Sequence, residues 1–288
     1  MKLLVVALLS LLSAGCVARK TVISRESSPT HSGENVFDRM LNPDNGLLLR
    51  KWVVPDKADR IGAALLRYRD GQVLDAKTAE SLRRNGFRLV RIRADQIDDL
   101  LGDLGVGPSD VAAWHGQIVE WRELFKRPIS GPGATLAISG RVRSIPPGQL
   151  RLMGRSWTVL MEDGPYLTLE LHPQLRRPQE PSLYRLLGDT DLQGEVLGAL
   201  AIEIRLEPGY AYVLTGGTPA VERIDSLGNP AGPTVETPDT LGEFLFSQRT
   251  EPPLRTLLVF VPRISDQLLR PYRIEGTTSK GHPVAATR

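Results

Sequence analysis

The chain has 288 residues, 41% of them apolar and 24% charged, with a formal net charge of +3. That balance excludes a disordered chain and is enough for a sizeable core in one large or two small domains. One cysteine excludes a disulfide framework.

The first element is a targeting segment. Lys2 precedes an apolar run from Leu3 to Leu12, too short for the roughly 18 residues of a spanning helix, and Ser13, Ala14 and Gly15 lead into Cys16. Residues 1–15 therefore read as a signal peptide. "LSAGC" resembles the lipobox of bacterial lipoproteins, with Ser13 in the slot leucine usually fills and Leu12 one place upstream. The resemblance implies cleavage before Cys16 and attachment of diacylglycerol and palmitate to its sulfur. Val17 stands where an aspartate would favour the inner membrane, which implies anchoring in the outer membrane, facing the periplasm. The competing reading is an ordinary secretory signal with an incidental cysteine. In an exported protein nucleic acid is not an expected partner. Residues 16–35 are polar and without apolar periodicity, as a flexible tether would be.

From residue 36 to 127 the pattern mixes strand and helix. Leu47 to Val54 reads as a strand ended by Pro55, and Asp59 to Tyr68 as a helix with Ile61, Leu65 and Tyr68 on one face. Asp75 is placed to cap a helix bearing Ala79 and Leu82 that Asn85-Gly86 stops, and Phe87 to Ile92 reads as a strand. Asp95 to Leu104 has helical spacing, with Ile97, Leu100, Leu101 and Leu104 inward and Asp98, Asp99 and Asp103 outward. Val111, Trp114, Ile118, Trp121 and Phe125 fall on one stripe of a predicted helix. These elements predict a small α/β domain over 36–127.

"RPISGPG", residues 127–133, breaks the pattern, and strands follow. Asp163-Gly164 predicts a hairpin turn, with Leu167, Leu169 and Leu171 alternating against Thr168, Glu170 and His172. Pro208-Gly209 predicts a second hairpin after Leu200, Ile202, Ile204 and Leu206. "RTLLVFVPRI", residues 255–264, reads as the closing strand, its pairing ended by Pro262. The expected fold is α+β, the α/β domain being followed by an antiparallel β domain over 131–275, sandwich-like or partly open. Residues 276–288 read as a loose tail.

Catalytic constellations are missing. Gly105 to Asp110 and Gly131 to Leu136 each lack the third glycine of a dinucleotide fingerprint, and Lys280 is the only lysine near glycine and hydroxyls. His31, His115, His172 and His282 have no ligand-spaced partners, and Ser130 lacks a strand-to-helix elbow. Asp98, Asp99 and Asp103 match a solvated helix face. No enzyme, cofactor or metal is expected. The 36 basic residues are mostly arginine, which grips phosphate and carboxylate bidentately; Arg83, Arg84, Arg88, Arg141 and Arg143 are the candidate contacts for an anionic envelope polymer or lipid.

Three stretches in order, "LEPGYAYVLTGGTP" (206–219), "TPDTLGEFLFSQR" (237–249) and "RTLLVFVPRI" (255–264), resemble the end of the secretin homology domain of bacterial secretion and pilus channels. Pro208-Gly209 matches the turn of its "dGqtvviGGL" strand, and Gly216-Gly217 its glycine pair. Leu241-Gly242 with Leu245-Phe246 matches "iPvLGeLF", and Leu257 to Ile264 the last strand. The match covers 206–264, Arg255-Thr256 replaces the family's glutamate, and the β region is short for a complete channel protomer. The resemblance implies protein contact. The expected function is thus a non-enzymatic, lipid-anchored envelope protein with a structural, assembly or interaction role, binding an envelope protein or itself. A secretin-type channel subunit and an anion-binding module are the alternatives.

Overall fold

The computed structural model describes residues 40–105, 111–177, 194–217 and 238–269. The segments expected to be signal peptide, tether and tail, with Cys16, His31 and His282, lie outside the described residues. In chain order the elements are β1 (Gly46–Pro55), α1 (Ala58–Arg67), α2 (Ala76–Arg84), β2 (Phe87–Arg93), α3 (Ile97–Leu104), β3 (Val111–Gly116) and β4 (Ile118–Ile129). Next come β5 (Ala134–Ile138), β6 (Arg141–Ile145), β7 (Gly148–Met161), β8 (Gly164–Arg176), β9 (Glu195–Val196), β10 (Ile202–Leu206) and β11 (Tyr210–Gly216). The last are β12 (Asp239–Thr240), α4 (Leu241–Phe246), β13 (Ser247–Gln248), β14 (Leu254–Arg263) and α5 (Asp266–Leu269).

The fold is α+β and mostly antiparallel sheet. A first sheet runs β2-β11-β14-β1-β3, with β13 beside β14; a second runs β10-β8-β7-β4, with β9 beside β8. A small third sheet, β12-β5-β6, contains the parallel pair β12 and β5. The first sheet is covered on both faces. Successive side chains of a strand point to opposite faces. Trp52, Val54, Val90, Ile92 and Val259 meet Ile61 and Leu65 of α1 and Leu100 of α3, while Leu47, Phe87, Leu258 and Phe260 meet the second sheet through Leu150, Leu169 and Ile204. Each such side chain taken from water contributes about 1.5–3 kcal/mol.

That layering explains why β14 is apolar at nearly every position rather than at alternate ones. It is a central strand, pairing with β1 from Gly46↔Arg263 to Pro55↔Leu254 and with β11 from Tyr212↔Phe260 to Thr215↔Leu257. It does not close the sheet. Pro262 still faces Leu47 of β1, but the pairing with β11 stops at Phe260, so the missing N–H falls where only one neighbour remains.

The local caps form as their residues dictate. Asp75 accepts a hydrogen bond from the Thr78 amide at 3.0 Å to start α2, and Gly86 at φ +75° turns the chain out of it. Ile97, Leu100 and Leu104 of α3 are buried, and Leu101 packs against the same cluster.

Three expectations are corrected. Residues 111–125 are not a helix but β3 and most of β4, joined at Gly116, whose φ of +61° lets the chain pass from the first sheet to the second. The pairing of β4 with β7 slips twice, between Ile118 and Arg122 and between Glu123 and Phe125. The five apolar residues of the helix-like stripe share no face: Val111 and Trp114 are exposed on β3, and on β4 Ile118 is buried while Trp121 and Phe125 are half-buried. The Leu124 side chain fills the place a Cβ on Gly154 would take, at 2.3 Å.

Second, β10 and β11 do not pair with one another. β10 lies on β8 in the second sheet and β11 between β2 and β14 in the first, so Pro208-Gly209 is a passage between layers. The difference is visible in burial: β10 alternates, and β11 is buried at every position after Tyr210. Third, strands from both expected domains share a sheet. β1 and β2 pair with β14 and β11, so the segment 36–127 contributes to the first sheet rather than closing on strands of its own.

Candidate functional site

The chemistry-bearing side chains are placed by these layers. Among the described residues no three His, Cys, Asp or Glu side chains come together as a metal site. Asp103 ties two helices together, accepting from Arg67 Nη1 at 2.6 Å and from the Tyr68 hydroxyl at 3.0 Å, while its carbonyl accepts Arg60 Nε at 2.7 Å. Asp98 and Asp99 are exposed. Ser130 sits in an exposed turn.

The five candidate arginines do not converge. Arg83 and Arg84 share Glu80, at 2.8 and 3.7 Å, on the exposed side of α2. Arg141 and Arg143 stand on β6, past the tight turn of Ser139 (φ 52°) and Gly140, with Arg143 on Glu195 at 3.0 Å. Arg88 projects from β2 toward α1, half-buried, its Nη1 3.1 Å from where a Gly62 Cβ would be. Burial and then the neighbouring Arg255 hold its pKa below the ordinary arginine value.

Two features missed in the sequence stand out. One is the free edge that β3 and β4 present in succession. Among the described residues, β3 pairs with β1 on one side only, and β4 with β7 on one side only. Val111 (62% exposed), Trp114 (47%) and Val119 (73%) lie along it. The stretch from Val111 to Val119 carries valine and tryptophan on this edge and neither lysine nor proline, which enter only at Lys126 and Pro128 near the end of β4, so it is a template for another chain. The helical reading of 111–125 put Val111 and Trp114 on the buried stripe; that they lie on an edge strand depends on which strands pair.

The other is an aromatic–arginine cluster on the outer face of the second sheet. Arg155 of β7 lies 4.9 Å from the centre of Trp121 on β4 and 5.3 Å from Trp157, and its Nε is 2.7 Å from Glu170. Trp121 packs edgewise on His172 at 4.1 Å. Burial, then Arg151 nearby, lowers the His172 pKa, so the ring is neutral at pH 7. A held guanidinium between two indoles is rigid and amphipathic, the composition of side chains that dominate protein contacts. The i, i+2 spacing of Arg155 and Trp157 along one strand is the signal that could have marked it.

The three C-terminal stretches that resemble secretin motifs meet at one backbone junction. Gly217 N donates to Gly86 O at 2.8 Å and Gly242 N to Asn85 O at 2.9 Å. A Cβ on Gly242 would sit 2.2 Å from Gly86 O, and one on Gly216 2.7 Å from Gly242 O. The glycines are required by close approach of three segments. Arg255 anchors the same corner: Nη1 donates to Gly216 O at 2.6 Å, Nη2 to Asp56 Oδ2 at 3.2 Å, and Nε contacts Oδ1 at 2.7 Å without hydrogen-bond alignment. The position where the family carries glutamate thus holds a buried ion pair with β1's outgoing turn. Comparison of the chain with protein-family models, with curated proteins and with solved structures returns no match. No helix among the described residues is long and apolar enough to cross a membrane.

Proposed function

We propose that the protein is a non-enzymatic lipoprotein of the bacterial envelope, tethered through Cys16 to the outer membrane and acting by protein contact. The observation that carries the contact role is the open β3–β4 edge with Val111, Trp114 and Val119 outward. Placing a photo-crosslinking amino acid at Val119 tests it. The expected result is one discrete adduct, with an envelope protein or a second copy, that disappears when Val111 and Trp114 are both changed to aspartate. Absence of any adduct from intact cells refutes the contact role. Palmitate labelling tests the anchor, since label that survives Cys16→Ala refutes lipidation there.

A second reading, a subunit of a multimeric secretin-type channel, is favoured by one observation. Among the described residues β3 at one end of the first sheet and most of β2 at the other have no further strand neighbour, and a subunit with two different open edges can join head to tail. It predicts a heat- and SDS-resistant oligomer in outer-membrane fractions. A strictly monomeric mature chain removes it. The arginine-based reading, binding of an anionic polymer, receives less support because its five residues are spread over α2, β2 and β6.

A further inference from the structure

The opposite edge of the first sheet has a feature of its own. In β2, Gly86 O accepts from Gly217 and Ala94 N donates to Gly209 O, both toward β11, and the β2–β11 register between them is unbroken. Even-numbered residues of β2 therefore bond to β11, and odd-numbered ones turn their N–H and C=O to the free side. Arg91 O is met there by Asp70 N at 2.8 Å, next to an isolated bridge between Arg69 and Ile92. At Gly71, φ +68°, the chain turns away, so this single-bridge partner stops after one step. Leu89 N–H and C=O then have no backbone partner among the described residues.

Where the partner leaves, a groove of about 450 Å³ opens between β2, α1, α2 and residues 71–74. Leu66, Val73, Leu74 and Leu82 supply apolar walls, Arg69, Arg83 and Arg88 line it, and no acidic side chain does. Arg83 is paired with Glu80. Arg69 Nε reaches only the Gly71 carbonyl at 3.3 Å, and Arg88 has no carboxylate partner among the described residues. The walls match aliphatic side chains, the arginines match a carboxylate, and the open Leu89 amide and carbonyl match an extended backbone.

We propose that this groove receives a short extended peptide segment, aliphatic and carrying a carboxylate, which continues the bridge begun by Arg69 as an added strand on β2. The site is separate from the β3–β4 edge, and its failure leaves that reading untouched.

The probe is a fluorescein-labelled peptide mixture, Glu-X-X-X-Glu-amide with each X valine, isoleucine or leucine, titrated into the full-length chain. Saturable anisotropy and slowed hydrogen exchange at the Leu89 amide are expected. A strand added to an edge uses only one of its own edges. Of two mixtures N-methylated at alternate positions, one should therefore bind at least about tenfold more weakly and the other about as well as the parent. Arg69→Gln with Arg88→Gln, checked for an unchanged fold by circular dichroism, should weaken the glutamate mixture about tenfold and its Gln-X-X-X-Gln counterpart little. Lack of saturable binding overturns the proposal. So do equal effects of the two N-methylation patterns, or saturation by dodecanoate without any peptide binding, which would make the groove a lipid-anion site.

Discussion

Substituting alanine at two glycines should change stability in opposite directions, and the structure says which way. Gly242 lies in the first turn of α4, with no positive φ to complicate the comparison. A methyl there would stand 2.2 Å from Gly86 O, 2.5 Å from Gly86 C and 2.9 Å from Phe87 N, about 1 Å inside ordinary contact with backbone that is itself bonded. Relief requires α4 to retreat from β2, which stretches the 2.9 Å bond from Gly242 N to Asn85 O and disturbs Phe246 against Phe87, rings that pack edgewise at 6.1 Å. Overpacking of this kind costs about 1–3 kcal/mol, and backbone contact puts Gly242→Ala at the upper end. Gly102, inside α3, has nothing within 4 Å of its would-be Cβ. There alanine removes unfolded-state freedom and should stabilise by about 0.5–1 kcal/mol. Urea unfolding followed by circular dichroism reads both, and in melting temperature the contrast is about 2–4 °C per kcal/mol for a folded unit of this size. Gly242→Ala with wild-type stability would refute the close-packed junction, and Gly102→Ala less stable than wild type would refute the open helix position.

Other perturbations follow from named contacts. Arg255→Gln leaves Asp56 largely buried beside a neutral group and should cost about 3–5 kcal/mol, whereas Arg255→Met with Asp56→Leu should recover most of that; equal losses in both would show the pair is not what the corner depends on. His172 is held neutral by burial and by Arg151, so its folded pKa lies below its unfolded value of about 6.5. The unfolded chain then binds the proton more readily, and this part of the stability, complete above the unfolded value, is lost as pH falls through the folded one. The melting temperature should fall as pH drops below the unfolded value of about 6.5, less steeply in His172→Gln, with a remainder from His115, whose pKa burial and Arg122 also lower. A slope unaltered by His172→Gln would contradict it. Thr240→Ala removes the hydroxyl that accepts from Glu243 N at the start of α4 and should cost about 1 kcal/mol, measured by the same unfolding curves.

Local grammar carried much of the fold. The alternation of Leu167, Leu169 and Leu171, the cap at Asp75 and the stripe of Ile97, Leu100 and Leu104 depend on neighbours a few residues away, so strand β8, the start of α2 and helix α3 were legible. The glycines of the C-terminal stretches could be singled out as motif positions. The sequence did not indicate what they press against, because Gly86 and Gly242 meet across more than 150 residues of chain.

The candidate surfaces depended on longer-range facts. Trp114 and Trp121 repeat with a helix-like interval, but the fold puts them on different strands in different sheets, Trp114 exposed on β3 and Trp121 half-buried on β4. β10 and β11 have the sequence of a hairpin, yet the layers they join are set by what covers each face, a sheet on one side of β11 and helices on the other. Arg255 is an ordinary surface cation until Asp56, almost two hundred residues earlier, is brought beside it. By itself the sequence determined the elements whose periodicity and caps are local. Tertiary structure alone decided which strands became edges, because an edge is defined by the absence of a neighbour, and neighbours are chosen by burial of distant side chains.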